Sequence, residues 1–253
     1  MNIKAPASSN IPALRKLWKE AFSDSDEFLN LFFSTAFEPN RCRCLMIENN
    51  LIAALYWFNC SYGDKPIAYL YAVATASSHR GHGFCHKLLE DTHQYLKKLG
   101  YEGVILVPGT NQLFEFYQGM GYQTCCYRSE FQCQSVSGNI DIRRIEQYEY
   151  ATLRRQLLPQ GSVIQEKENL DFLETQAIFY AGDDFLLAAH GEADVLCGIE
   201  LLGNLSVAPK LLHALGYSQG TFRTSGSEIP FAMFFSLGNS FLTPPSYFGF
   251  AFD

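Results

Sequence analysis

The sequence contains no long apolar run and no excess of cationic residues. None of its segments reaches the roughly 18 consecutive apolar residues that a membrane-spanning helix needs, and the start Met1-Asn-Ile-Lys-Ala-Pro6 lacks the apolar core of a secretory signal. Lys and Arg number 19 against 26 Asp and Glu, which gives a net charge of -7. These absences argue against a membrane partner and against nucleic acid as a partner, and we expect the protein to be cytoplasmic.

Cysteines are too sparse for a disulfide framework, since there are 8 in 253 residues. Cys42 and Cys44 lie in an alternating, strand-like pattern, and the adjacent Cys125 and Cys126 would point to opposite faces of a strand. Neither pair has the spacing of a structural zinc site. We therefore predict reduced, mostly buried thiols and no bound metal.

The composition is that of a folded chain, with 47% hydrophobic and 18% charged residues. Its length allows one large domain or two small ones with cores of their own, and we favour two. The polar segment Ser135-Val-Ser-Gly-Asn139 provides the predicted linker. The predicted domains are therefore 1–134 and 140–253.

The first domain shows an α+β pattern of apolar spacing. The predicted helices cover 11–22, 24–37, 84–99 and a short segment from 111, and the predicted strands cover 42–48, 51–61, 68–76, 103–107 and 122–132. A turn at Asn49-Asn50 is predicted to join the first two strands as a hairpin. The apolar face of the helix 84–99 comprises Phe84, Leu88, Leu89, Thr92, Tyr95, Leu96 and Leu99.

One segment runs from a strand through a glycine-rich turn into this helix. Gly81 and Gly83 would let the backbone approach a ligand closely, and the first helical turn offers unpaired N–H groups and the positive end of its dipole. Arg80 adds a cation beside that anion site. The segment predicts a pyrophosphate cradle. The alternatives are a dinucleotide fingerprint, which the missing third glycine disfavours, and an ordinary strand-to-helix turn.

Two motifs in this domain resemble the GCN5-related N-acetyltransferase (GNAT) superfamily. Arg80-Gly-His-Gly83-Phe-Cys85 is similar to the acetyl-CoA pyrophosphate loop of that family, although Cys85 stands where the family usually has Gly or Ala. The segment Asn111-Gln-Leu-Phe-Glu-Phe-Tyr117-Gln-Gly-Met-Gly121-Tyr122 is similar to the family's helix with a tyrosine followed by a Gly-aromatic pair. The resemblance covers residues 1–132.

The resemblance implies a GNAT fold, a mixed and mostly antiparallel sheet flanked by helices, and transfer of the acetyl group of acetyl-CoA to a primary amine. The strand edge at 73–75 would pair with the pantetheine arm, and an N–H there would stabilise the oxyanion. The cofactor-binding residues so implied are Val73, Ala74, Thr75, Arg80, Gly81, His82, Gly83, Phe84, Cys85 and Asn111. Asn111 is equally consistent with a helix cap.

Tyr117 is the predicted catalytic residue. The departing CoA thiol benefits from a proton donor, and a tyrosine stays protonated at neutral pH. In the alternative interpretation Tyr117 is one more core aromatic beside Phe114 and Phe116. The strand 68–76 contains no carboxylate, so no general base is predicted. Asp24 and Glu27 are acidic candidates on the acceptor side, but charged residues near helix starts usually cap or solvate the helix.

The second domain partly repeats the first. The segment 180–189 is similar to 48–55 as a strand-turn-strand, and 211–217 is similar to 95–101 as a helix end. At the position of the cradle it has Gly203-Asn-Leu-Ser-Val-Ala-Pro209, with neither the cation nor the paired glycines. The pattern resembles tandem acetyltransferases whose degenerate second copy does not bind CoA. An unrelated α+β domain is the alternative.

Two functions remain open from the sequence: an N-acetyltransferase, and a non-catalytic acyl-CoA-binding or regulatory module. Tyr117 beside an intact phosphate loop favours the enzyme. The acidic composition favours a small cationic amine as the acceptor. The aromatic segment 247–252 reads as a strand, and if it reaches the acceptor, Asp253 would hold or deprotonate the amine. The sequence does not indicate the oligomeric state.

Overall fold

The computed structural model describes residues 1–238 and 243–252. It divides into two compact units, the first made of 1–123 and 233–244 and the second of 124–232 and 245–253. Asp253 lies outside the described residues, so its expected role at the acceptor is left as a prediction.

The first unit contains a mixed sheet with helices on its two faces. Its strands are β1 (Asn2–Lys4), β2 (Cys42–Ile47), β3 (Asn50–Tyr62), β4 (Lys65–Thr75) and β5 (Gly103–Leu106), and its helices are α1 (Ile11–Phe22), α2 (Asp26–Thr35), α3 (Phe84–Lys98) and α4 (Asn111–Gly119). Strands β1 to β4 pair antiparallel in chain order, and β4 pairs with β5 in parallel. A later segment, 233–236, pairs antiparallel with β5.

The hairpin between β2 and β3 is displaced by one residue from the predicted position. Its two turn residues are Glu48 and Asn49, with φ of 49° and 65°, and Asn50 already belongs to β3. Asparagine tolerates the left-handed region, which explains Asn49, but Glu48 carries no such signal. The location of the hairpin was predicted, but its exact turn residues were not.

Strand β4 alternates between two cores. Ala68 and Leu70 pack with Leu88 and Leu96 of α3 on one face. On the other face the ring of Tyr71 lies 5.5 Å from that of Trp18, which α1 places there. Because side chains alternate along a strand, one helix layer covers each face and β4 lies between them.

The second unit has a similar arrangement. Its strands are β6 (Gln123–Gln134), β7 (Arg143–Ile145), β8 (Ile164–Gln165), β9 (Ile178–Ala181), β10 (Phe185–Glu192), β11 (Val195–Gly203), β12 (Gln219–Ser225) and the start of β13 (Ile229–Ser236), and its helices are α5 (Gln147–Leu157), α6 (Glu168–Glu174) and α7 (Ala208–Leu215). Strands β7, β9, β10 and β11 pair antiparallel in that order, β11 pairs with β12 in parallel, and β12 pairs with β6 antiparallel.

The predicted domain boundary at 134–140 requires correction. Strand β6 pairs with β12 of the second unit up to Gln134, and the N–H of Ser135 donates to the carbonyl of Ser218 at 2.8 Å. The predicted linker is therefore bonded within the second unit, whereas 233–244 complete the first. Composition separates only contiguous blocks, and it cannot reveal that a strand from late in the chain pairs with β5.

The C-terminal aromatic segment does not form the predicted strand. Within 245–252 the structure has a single bridge between Tyr247 and Ser162. Backbone hydrogen bonds also hold the segment, since the N–H of Val163 donates to the carbonyl of Tyr247 at 2.9 Å. Among side chains, the hydroxyl of Tyr247 donates to Glu200 at 3.0 Å, and Glu200 is itself paired with Arg154 at 2.6 Å. This ion pair is fully buried, and its hydrogen bonds offset part of the cost of desolvating both charges.

No helix in the parts described, 1–238 and 243–252, is long and apolar enough to cross a membrane. All eight cysteines are free thiols, and Cys42, Cys44, Cys60 and Cys126 are buried.

Candidate active site

The candidate site begins where β4 and β5 separate. Their parallel pairing runs from Ile67 opposite Gly103 to Leu70 opposite Leu106, and β4 continues to Thr75 after β5 has ended. No described strand pairs with β4 on this side beyond Leu70, which leaves an unpaired strand edge, the opening of β4. Backbone groups at such an edge are available to an extended ligand, as in strand addition.

A bulge lies in this part of β4. Tyr56 of β3 pairs with Tyr71, but Ala54 pairs with Ala74, so β4 has one residue more than β3 in this interval. Ala72 has a φ of 48°, in the left-handed region that alanine rarely adopts. A bulge redirects the strand and its backbone groups. The structure thus places Val73 and Ala74 at a distorted strand edge.

The predicted glycine loop follows directly. Gly81 and Gly83 both have a φ of 76°, and nothing lies within 4 Å of the Cβ that either position would carry. The backbone therefore requires glycine there, and the space beside it is open. The His82 ring Nδ1 donates to the carbonyl of Arg80 at 2.8 Å, so this side chain supports the loop while its amide lies inside it.

Helix α3 begins at this loop with an uncapped end. Its N-cap residue is Gly83, which has no side chain to accept a hydrogen bond from the first-turn amides. Phe84 and Cys85 supply the first amides of the helix. Unpaired N–H groups at a helix N-terminus, with the helix dipole behind them, favour an anion.

Two charged side chains stabilise the loop. The Nε of Arg80 donates to the carbonyl of Thr75 at 3.1 Å, which holds the guanidinium beside the loop. Glu20 of α1 accepts a hydrogen bond from the N–H of Ser77 at 2.6 Å. The hydrogen bond with Ser77 lowers the pKa of Glu20, and Arg80 adds to the shift. Glu20 was not predicted, because an acidic residue on an exposed helix face carries no distinguishing sequence signal.

Thr75 ends β4 with an unsatisfied hydroxyl. Its Oγ1 is buried and has no hydrogen-bond partner among the described residues. Burial raises the pKa of the neighbouring Cys85 thiol to about 11, against a smaller opposing effect of Thr75, so the thiol stays protonated and is only a weak donor. A buried hydroxyl without a partner is costly. Such an atom beside the opening is consistent with a ligand that supplies the missing partner.

Tyr117 lies on α4 and is buried, with 6% of its surface exposed. Burial raises the pKa of its hydroxyl well above the usual value, and the nearby Cys85 raises it further. The hydroxyl is therefore protonated across the physiological range. Tyr117 belongs to the buried cluster against which Cys85 and Val73 pack.

Asn111 is the first residue of α4, and its side chain is exposed. The helix cap is Thr110, whose side chain accepts a hydrogen bond from the N–H of Leu113 at 3.4 Å. The capping alternative for Asn111 is therefore wrong. From the position before Asn111, the side chain of Thr110 reaches the amide of Leu113, the third residue of the helix, which is the usual cap geometry.

The two acidic candidates lie around the start of α2. Asp24 precedes this helix and accepts a hydrogen bond from the indole Nε1 of Trp18 at 2.7 Å. Glu27 is exposed in the first turn of α2. Neither carboxylate is identified as a base by this geometry. Among the described residues, no three metal-ligating side chains come together in a group that could hold a metal ion.

Comparisons with known proteins agree with this geometry. The model of the acetyltransferase (GNAT) domain matches residues 2–125. No curated protein matches the chain by sequence. The structure is similar to a GCN5-related N-acetyltransferase from Anabaena variabilis, with a TM-score of 0.77 at 15% identity over 94% of this chain and 73% of that chain.

Two further solved structures are similar over both units. A GCN5-related N-acetyltransferase from Kribbella flavida gives a TM-score of 0.69 at 14% identity, over 92% of this chain and 70% of that chain. A tandem GNAT protein from the clavulanic acid biosynthesis pathway gives 0.56 at 9% identity, over 94% of this chain and 99% of that chain. These likenesses show the fold, and the domain match supports acyl transfer in general.

Proposed function

Because this chain belongs to the GNAT superfamily, we propose that it transfers the acetyl group of acetyl-CoA to a primary amine, with Tyr117 as the general acid. The observation that carries the proposal is the combination of an uncapped, glycine-lined helix start with a buried tyrosine in the cluster against which Val73 and Cys85 pack. The first favours an anionic ligand, and the second would supply a proton.

The residues present fit acetyl-CoA. Amides from Gly81 to Cys85 would hold the pyrophosphate, with Arg80 as its cation. The edge of β4 at Val73 and Ala74 would pair with the amides of the pantetheine arm. Thr75 offers its buried hydroxyl, which otherwise has no partner among the described residues. Asn111, exposed at the start of α4, is available for a further contact.

The reaction proposed is direct attack. The neutral amine nitrogen bonds to the thioester carbon, and an N–H of the bulged strand stabilises the oxyanion. The C–S bond then breaks, the sulfur takes the proton of Tyr117, and the nitrogen gives its extra proton to water. Because burial disfavours the phenolate, Tyr117 regains a proton readily from solvent.

We propose a small cationic amine as the acceptor. Tyr71 directly precedes the bulge and is half-buried, so part of its ring remains accessible there. The face of a tyrosine ring attracts cations. The net charge of -7 favours the same class of acceptor.

Thiol release from acetyl-CoA with a panel of amines tests the activity. Tyr117→Phe should lower kcat by about 100-fold or more, because it removes the proton donor but keeps the ring. Its acetyl-CoA affinity should not change. Tyr148→Phe is the matched control, since Tyr148 is 86% exposed on α5 and should have no effect.

Two outcomes would contradict the proposal in different ways. Unchanged turnover in Tyr117→Phe would remove Tyr117 from the mechanism. Binding of acetyl-CoA with no thiol release for any amine would favour a non-catalytic acyl-CoA-binding module.

A further inference from the structure

A buried histidine of α3 has no part in the mechanism above. His93 is 9% exposed, and its Nε2 lies 2.6 Å from the hydroxyl oxygen of Tyr122, which is 1% exposed. Both residues belong to the first unit. His93 is spaced by four residues from Leu89 and by three from Leu96, so helical periodicity would have placed it in the core.

The protonation of both partners follows from the surroundings. Burial, with a smaller contribution from His86 on the same helix, lowers the pKa of His93 to about 4, so the imidazole is neutral at neutral pH. Burial also keeps the hydroxyl of Tyr122 protonated, by raising its pKa. With the imidazole proton on Nδ1, the hydroxyl of Tyr122 donates to the Nε2 of His93.

The same pair is packed against other rings. Phe235 stacks on His93, with ring centroids 4.5 Å apart at 18°, and lies 5.2 Å from Tyr122. Tyr122 in turn contacts Tyr117, with ring centroids 5.5 Å apart at 63°. The N–H of Tyr122 also donates to the carbonyl of Tyr117 at 3.0 Å.

We propose that His93 and Tyr122 are positioning residues for Tyr117: the hydrogen bond between them fixes the Tyr122 ring, and that ring fixes the rotation of the Tyr117 ring. This inference rests on the proposed role of Tyr117 as general acid. A phenylalanine at position 122 would fill the same space without burying a hydroxyl group. The hydrogen bond between Tyr122 and His93 is directional, so it also specifies the orientation of the Tyr122 ring. Proton transfer requires that orientation, since small displacements of a catalytic group cost much of its rate.

The substitution series at His93 separates the hydrogen bond from the packing. His93→Leu removes the acceptor, and we expect kcat to fall by about tenfold with the KM and Kd for acetyl-CoA unchanged. His93→Gln places an oxygen near the position of Nε2 and should restore most of the rate. His93→Asn is the matched control, because its shorter side chain mimics Nδ1 instead and should not restore it.

Tyr122→Phe gives the same test with minimal change in volume. It removes only the hydroxyl, so it should lower kcat as His93→Leu does, and the double variant should be no slower than either single one. Normalising kcat to the number of acetyl-CoA sites from calorimetry removes any contribution of unfolded protein. An unchanged kcat in Tyr122→Phe at full site occupancy would overturn the inference.

The Tyr117→Phe background distinguishes failure of this inference from failure of the proposed function. If Tyr117 is the acid and His93 acts through it, adding His93→Leu to Tyr117→Phe should cause no further loss of kcat. A further tenfold loss would show that His93 acts independently, which overturns the positioning role but leaves the general acid in place. An unaffected kcat in Tyr117→Phe alone would instead remove the general acid.

Discussion

The loops that lead from β4 into α3 and from β11 into α7 occupy the same place in their two units. Each follows a strand that pairs in parallel with the strand after the helix, β4 with β5 and β11 with β12. Both helices also end alike, since Tyr101 donates its N–H to the carbonyl of Leu96 and Tyr217 to that of Leu212.

The loops differ in how their own polar groups are used. The first has two glycines in the left-handed region with open space beside them, whereas both helices begin without a side-chain cap. In the second, the side chain of Asn204 accepts a hydrogen bond from the N–H of Ser206 at 3.1 Å and donates to Asp184 at 2.8 Å. Pro209 lies in the first turn of α7 and has no N–H to offer.

The contrast indicates what a phosphate-binding loop requires beyond its place in the fold. The second loop bonds the N–H groups of Asn204 and Ser206 internally, adds the carboxylate of Asp184, and packs so closely that a Cβ on Gly203 would lie 2.2 Å from the carbonyl oxygen of Asp184. An anion there would meet a carboxylate and closely packed backbone beside Gly203. We therefore expect one acetyl-CoA site in the chain, at the first loop.

The largest effect is expected from filling the first loop. Gly83→Val places a branched side chain at a φ of 76° where the pyrophosphate would lie, and we expect the Kd for acetyl-CoA to rise by about 100-fold or more in calorimetry. Gly100→Val is the matched control. Gly100 is also exposed at a φ of 89° with open space around it, but it lies at the other end of α3. An equal loss of affinity in both variants would mean that strain alone, and not the loop, is responsible.

Removal of the cation should have a smaller effect. Arg80→Ala should raise the Kd for acetyl-CoA by about tenfold, because a charge-assisted contact to phosphate is lost, and the difference should shrink at high salt. Arg155→Ala removes an exposed arginine of the second unit and should not change the Kd. Full affinity in Arg80→Ala would count against the cradle.

The units also differ in their buried polar groups, a neutral His93–Tyr122 pair in the first and the Arg154–Glu200 ion pair in the second. With its pKa lowered to about 4, His93 takes up its proton in the unfolded state before the folded one, so stability falls as the pH drops from about 6.5 towards 4. His93→Gln should lessen this acid-induced loss in the free energy of unfolding by up to about 2 kcal/mol at pH 5, measured by urea titration. If the free energy of unfolding fell equally with pH in the unsubstituted protein and in His93→Gln, the result would contradict a buried neutral histidine.

The smallest effect is expected from the second loop. Asn204→Ala removes its internal hydrogen bonds and should lower the free energy of unfolding by about 1 kcal/mol. It should leave the Kd for acetyl-CoA unchanged. Weaker acetyl-CoA binding in this variant would show that the second loop contributes to the site.

The sequence predicted the parts of the site that depend on residue type. Gly81 and Gly83 adopt the positive φ that their identity allows, and Tyr117 lies on a helix, as the motif predicts. By contrast, Ala72 has a φ of 48° although alanine carries no signal for it. The tertiary pairing of β4 with β3 imposes that conformation, so local sequence cannot reveal it.

The fold shows the same limit. Helix and strand positions follow apolar spacing to within a few residues, since burial of one face decides them. The sequence did not predict that β6 belongs to the second unit and the segment 233–244 to the first. The reason is that β5 pairs with residues more than 120 positions later in the chain. His93 was missed because a histidine among leucines does not register as apolar, although its spacing fits the buried face.

Titration calorimetry of acetyl-CoA into the full chain tests the central claim most directly, with Gly83→Val measured alongside. The account predicts one site per chain, lost in Gly83→Val and retained in Asn204→Ala. Two sites, or one site that survives Gly83→Val, would contradict the assignment of acetyl-CoA binding to the first loop.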